Sequence, residues 1–313
     1  MIDYNPKVSV IIPVYNGSNY LSDAIKSVLY QVYENREIIV INDGSNDQGK
    51  TEKVAQSFGN KIKYYEKKNG GVYSALNYGI EKMSGELFLW LSHDDLLKES
   101  MLEEHIKLRS MLDKPDELVT YNFHQDINGK NNLINFGVEF NEPNKLLFAL
   151  THSFPIYFCS LLLPKKIILK NNLFDEKFIW ADHKLLVDLA FNYQIVSIPN
   201  ILTLKRVHSE QISLQSKYND VSNLLHTNSA LCYAIFAYAN KVKINQRELD
   251  TISILLAKKG YFLASMCGFY HFKMDNSIIS NFKLLLLIKF FTLYKVFKKM
   301  IKRSISKIKF IAK

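Results

Sequence analysis

The sequence predicts an α/β protein: a mainly parallel, Rossmann-like sheet flanked by helices, with a helical appendage in its C-terminal part. Three observations carry this. Over the first 95 residues, short apolar runs alternate with segments of helical periodicity, the pattern of strand–helix–strand crossovers. The runs are unbroken, as in strands buried on both faces. Polar or acidic residues stand just past three of them: Asn16, Asp43 and the pair Asp94-Asp95. Ligands of open α/β sheets bind at the C-terminal ends of strands, so these residues are expected to share one site.

The elements follow in chain order. Residues 7–14 are a β-branched run closed by Tyr15, Asn16 and Gly17, a first strand and its loop. Tyr20, Leu21, Ala24, Ile25, Val28 and Leu29 recur at helical spacing, with Ser18 or Asn19 as the cap. Glu37 to Ile41 is the second strand, and the turn cluster Asn42 to Asp47 follows it. Ile62 to Tyr65 is a third. Asn69-Gly70-Gly71 breaks it, and Val72 to Met83 reads as a helix with Val72, Ala75, Leu76, Ile80 and Met83 on one face. Leu87 to Leu91 is the fourth strand, running into Ser92-His93-Asp94-Asp95. Two adjacent carboxylates repel each other unless a cation neutralises them. Mg²⁺ takes one or two carboxylates together with substrate phosphates, which suggests a metal–diphosphate site. The alternative is an N-cap for a helix starting at Leu96-Leu97.

Composition narrows the class. The chain has 313 residues, 48% hydrophobic and 22% charged, enough for one large or two ordinary domains. Cys159, Cys232 and Cys267 are odd in number and form no CxxC, which suggests reduced thiols in a cytosolic protein. The first apolar run is short and broken at Pro13, so no cleavable signal peptide is expected. No GxGxxG follows the first strand and no GxxxxGK[ST] occurs anywhere. A dinucleotide-binding domain and a P-loop both lose support. Net charge is +10, and ten of the 40 Lys and Arg fall in residues 283–313, which hold no acid.

Four stretches occur in a family's order: Ser9 to Asn16, Asn42-Asp43-Gly44-Ser45, Asn69-Gly70-Gly71 with Ala75 to Gly79, and Ser92 to Asp95. Through them the chain resembles family 2 glycosyltransferases of the GT-A fold, over residues 7–210. The resemblance implies that Pro13, Val14, Tyr15 and Asn16 lie against the nucleotide. It implies that Asp43 accepts a hydrogen bond from the base, and that Gly70, Gly71 and Asn77 lie near the nucleotide and donor sugar. Asp94 and Asp95 then stand for the DXD motif, holding Mg²⁺ or Mn²⁺ on the diphosphate. Two positions depart from the family. Ser92 stands where an acid is frequent, and Leu76 stands where an Arg is common. Lys67 or Lys68 would replace that Arg; otherwise both are solvated surface lysines.

In the second half, Leu118 to Asn122 and Tyr157 to Leu163 read as strands. Residues 146–164 carry no formal charge but are interrupted by Pro155 and polar residues, which argues against a span. Within residues 174–183 the family places its catalytic base at the position of Asp182, with Ala181 replacing a Glu. Asp182 also suits the N-cap of the helix holding Leu185, Leu186 and Leu189. Leu202 to Ser209 resembles the family's closing strand, which brings His208 toward the metal or diphosphate; His93 is expected to be a neighbour of the site. Residues 1–215 are expected to form the transferase domain and 216–280 a helical extension. Residues 281–313 mix basic residues with Leu, Ile and Phe, as an interfacial helix on an anionic membrane does, or a basic helix packed on the protein body. No nucleic-acid motif accompanies this charge.

The expected function is inverting, metal-dependent transfer of a sugar from a nucleotide diphosphate, UDP-linked, to a hydroxyl of a glycan or lipid-linked glycan in cell-surface polysaccharide biosynthesis. The expected place is the cytoplasm, peripherally on the inner face of the cell membrane. Two rivals stand beside it: a catalytically degenerate nucleotide-sugar-binding or scaffold protein, and a sugar nucleotidyltransferase. The second would need a glycine-rich phosphate loop, which Pro13 to Asn16 does not supply.

Overall fold

Strand β1 (Val8–Val14) is buried at all seven positions. The chain continues through α1 (Leu21–Leu29), β2 (Arg36–Asn42), α2 (Lys50–Gln56), β3 (Lys63–Glu66), α3 (Val72–Lys82) and β4 (Leu87–Trp90). Then follow β5 (Leu96–Leu97), α4 (Met101–Ser110), β6 (Val119–Asp126), β7 (Leu161–Pro164), α5 (Lys165–Lys170), α6 (Ala181–Asn192) and β8 (Ile195–Lys205). The computed structural model describes residues 4–127, 156–171, 173–176, 181–209 and 211. These all belong to one compact unit, Met1–Ala149 with Ser153–Gln211. The expected helical extension, the basic tail, the boundaries at 215 and 280, and the stretch 146–155 lie outside the described residues.

The described strands form one mixed sheet, ordered β3-β2-β1-β4-β7-β6-β8-β5. β1, β2, β3 and β4 are parallel, so their C-terminal ends share one edge. β7 runs antiparallel to both β4 and β6, while β6 and β8 are parallel. The parallel half is the continuous apolar pattern of the sequence made physical, with helices on its faces. Pro13 fits a central strand for a specific reason. The carbonyl of Ile11 accepts from Leu91 N–H, so positions 11 and 13 face β4, whose pairing with β1 stops at Ile11. No ladder donor is needed from residue 13.

Helix α3 sits close on the sheet because of Gly79. A Cβ there would lie 2.5 Å from Ile11 Cγ2. At the opposite end of the strands, the buried Glu37 carboxylate gathers Ser9 Oγ, Lys63 Nζ (2.7 Å) and Ser84 N–H (2.7 Å). Burial acts to raise its pKa, but the hydrogen bonds from Lys63, Ser9 and Ser84 outweigh it and hold the group at about 2.

Several local expectations are corrected. No side chain caps α1: its N-cap is Tyr20, not Ser18 or Asn19. Leu96-Leu97 does not begin a helix; it is a two-residue strand paired with β8, and α4 begins at Met101. The Asp-Asp pair is therefore not a helix cap. Residues 158–160 form a 3₁₀ turn, so β7 starts only at Leu161. Strand β8 ends at Lys205, and His208 lies beyond it in the loop.

Candidate active site

The edge of β1 and β2 holds Asn16 and Asp43. Asp43 follows β2 directly, and its N–H donates to Val14 O at 2.9 Å. Its buried carboxylate accepts from Lys67 Nζ (2.8 Å), Gly70 N–H (3.0 Å) and Gly71 N–H (2.7 Å). It thereby fixes the loop that leads into α3, where Gly71 takes φ 90°, a conformation that favours glycine. Lys67 is thus an ion-pair partner and not a solvated surface lysine. Leu76, in the place of the family's Arg, is fully buried in the core. Pro13 and Val14 are buried within β1, while Tyr15 and Asn16 are exposed. Asn16 and Asn46 clasp each other through Asn16 Nδ2 to Asn46 Oδ1 (2.7 Å) and Asn46 N–H to Asn16 Oδ1 (2.9 Å).

The end of β4 holds the acidic pair, and its two members differ. Asp95 is 1% exposed; its Oδ2 accepts from the Tyr157 hydroxyl and its Oδ1 from Arg206 N–H at 3.0 Å. Burial, and then the neighbouring Asp94 charge, push its carboxyl up to about 7, against two hydrogen bonds that favour the charged form. Asp94 accepts from His208 Nε2 at 2.9 Å. Arg206 Nε donates to Asp94 O at 3.0 Å, and the guanidinium lies 4.5 Å from the Tyr20 ring centroid. Arg206 thus ties the loop after β8 to the loop after β4 and brings His208 to Asp94. The His93 ring packs against Gly17, where a Cβ would sit 2.2 Å from it. Ser92 Oγ faces Cys159 Sγ at 3.3 Å, so it points to a buried thiol.

Among the described residues, no three His, Cys, Asp or Glu side chains converge as a metal cage. A cation at this edge would have two protein donors at contact distance, Asp94 and His208, and would complete its shell on phosphate. Asp94 and His208 are a carboxylate–imidazole pair at contact distance through Nε2; Nδ1, on the other side of the ring, is buried without a hydrogen-bond partner among the described residues. Asp95 has both oxygens committed to the protein, so its contact with Tyr157 and Arg206 holds the loop on which Asp94 sits.

Asp182 lies in the first turn of α6, and its Oδ1 accepts from the Tyr73 hydroxyl at 2.6 Å. Tyr73 packs edge-on to Trp90, the last residue of β4. Asn77 binds the segment before α6, with Nδ2 on Phe174 O (2.9 Å) and Oδ1 accepting from Phe174 N–H (3.0 Å). Sequence reasoning missed Tyr73, Tyr157 and Arg206 as parts of this edge. Only Arg206 carried a signal, two residues before His208.

The model of the family described as "Glycosyl transferase family 2" matches residues 9–163. An uncharacterized glycosyltransferase of Rickettsia typhi is 38% identical over 294 residues, covering 89% of this chain and 88% of that protein. One of Rickettsia felis is 42% identical over 229 residues; the match covers 71% of this chain and only 38% of that longer relative. Staphylococcus aureus TarS 1-349, solved with UDP-GlcNAc, superposes with a TM-score of 0.58 at 16% identity, covering 83% of this chain and 79% of that one. The mannosyltransferase PcManGT of Pyrobaculum calidifontis, solved with GDP-Man and Mn²⁺, gives 0.55 at 16% identity over 95% and 84%. The solved structures share the GT-A fold, and the sequence matches place this chain in glycosyl transferase family 2.

Proposed function

We propose that the protein is an inverting glycosyltransferase that moves a sugar from a nucleoside diphosphate, UDP-linked, to a hydroxyl of a glycan or lipid-linked glycan in cell-surface polysaccharide biosynthesis. The observation that carries this is Asp182, held by Tyr73 against the end of the strand that also delivers Asp94. Asp182 takes the proton of the acceptor hydroxyl as general base. The acceptor oxygen bonds to the anomeric carbon from the face opposite the diphosphate, and the bond to the diphosphate breaks, through an oxocarbenium-like transition state. Asp94 and His208 would hold Mg²⁺ or Mn²⁺, which when bound stabilises negative charge on the leaving diphosphate. Asp43 keeps the loop at Gly70 and Gly71 in register beside the exposed Tyr15 and Asn16, where the nucleotide would lie. Membrane docking through residues 281–313, on the inner face of the cell membrane, would bring the enzyme to a lipid-linked acceptor; the ten uncompensated positive charges support it. Calorimetric titration of the full chain with UDP and with GDP, with and without Mn²⁺, tests the donor. Tighter binding of UDP, strengthened by Mn²⁺, is expected. Preference for GDP overturns the UDP assignment, and binding of neither overturns the nucleotide-sugar reading.

A further inference from the structure

Tyr73 and Asn77 stand one turn apart on α3 and so share a face. Both reach the part of the chain that carries Asp182. Asn77 grips Phe174 by its N–H and carbonyl and also donates to Glu176 Oε1 at 2.9 Å. Tyr73 reaches the carboxylate itself. Its ring does not move freely: it stacks on Phe174, centroids 5.6 Å apart at 20°, and meets Trp90 edge-on at 6.3 Å. Phe174 and Trp90 are 2% and 8% exposed, so the ring rests on packed core. The N-terminal end of the helix, immediately before Tyr73, is fixed by Asp43 through Gly70 and Gly71.

We propose that Tyr73 is a positioning residue for the base: it holds Asp182 by Oδ1 and presents Oδ2 to the acceptor proton. The inference rests on the reading of Asp182 as base. A general base works only within hydrogen-bond reach of the proton it takes, and an aspartate free to turn about its side-chain torsions spends less time there. Helix α3 then serves both halves of the reaction. Its first end is tied to the nucleotide edge, and its inner face aims the base.

Tyr73→Phe removes the hydroxyl and keeps the ring on Phe174. The test measures nucleoside diphosphate release by the full chain from UDP-GlcNAc or GDP-mannose, on the donor that the wild type turns over. Wild type, Tyr73→Phe, Asp182→Asn and the double variant are compared. Tyr73→Phe is expected to lower kcat by about tenfold to a hundredfold, the worth of a hydrogen bond to a charged group, with donor KM within about twofold. On the Asp182→Asn background the same change should have no further effect. A wild-type kcat in Tyr73→Phe, a raised donor KM with kcat intact, or an equal loss on both backgrounds overturns the positioning role. Wild-type turnover in Asp182→Asn overturns the base reading instead, so the two failures are told apart.

Discussion

Neighbouring residues of one kind take different parts here because their surroundings differ. Asp95 is enclosed and holds Tyr157 and Arg206; Asp94, one residue away, meets the His208 ring. The sequence showed the pair, but not which member does which, since the partners Tyr157 and Arg206 are 62 and 111 residues away. The same holds for Asp43, whose place after β2 was legible but whose grip on Lys67 depends on how the loop folds back. At the far end of the strands, Glu37 makes a measurable claim. Its folded pKa lies near 2 against an ordinary 4.5, so its contribution is present above about pH 4.5 and is lost as pH falls toward 2. The contribution is at most about 3 kcal/mol. Urea unfolding at pH 5 and pH 3 should show wild type losing more stability than Glu37→Gln. Equal losses would mean that the carboxylate is not preferentially ionised in the folded state.

At the scale of elements, the parallel half was readable because each strand is an unbroken apolar run and each helix a periodic one. β1, β2, β3, α3 and β4 lie within one or two residues of their expected bounds. The mixed half was harder. β5 has only two residues and owes its existence to pairing with β8, which no local pattern announces. The cap of α1 failed for a similar reason: the Gly17 carbonyl accepts from Tyr20 and Leu21 N–H, leaving no role for Ser18 or Asn19. Helix α4 hides its logic too, because His105 and Arg109 look like surface residues in sequence. Both are fully buried; His105 lies between Thr120 and Asn122, and Arg109 reaches the carbonyls of Pro115, Leu118 and Leu162. Burial accordingly pushes the His105 imidazole down to about 3. The close seat of α3 on β1 gives the element-scale prediction. Gly79→Val places carbon where Ile11 already stands, so α3 must lift from the sheet. A stability loss of about 1–3 kcal/mol is expected from such overpacking, with a larger fractional loss of turnover because α3 carries Tyr73 and Asn77. A variant as stable and active as wild type would show that α3 does not need this close approach.

For the whole molecule, charge is unevenly divided along the chain. The residues before 283 hold 30 basic and 30 acidic side chains, and the remaining ten positive charges stand in 283–313. Among the described residues no helix is long and apolar enough to cross a membrane. In the proposed function, surface docking would fall to the basic segment, at about 1 kcal/mol per basic residue near an anionic leaflet, weakened by salt. Co-sedimentation with phosphatidylserine vesicles should retain the full chain and release a chain ending at Asn281; equal behaviour of the two would remove the membrane role. The reaction is tested more directly by one comparison. Nucleoside diphosphate release from the nucleotide sugar that the wild type turns over, with Mn²⁺ and with excess chelator, is measured for wild type and Asp94→Asn. Turnover is expected only in wild type with Mn²⁺, and Asp94→Asn should fall at least about a hundredfold with its circular dichroism unchanged, as loss of charge stabilisation at a leaving group does. Equal turnover of wild type and Asp94→Asn, or of wild type in Mn²⁺ and in chelator, would contradict a metal held at Asp94 and His208.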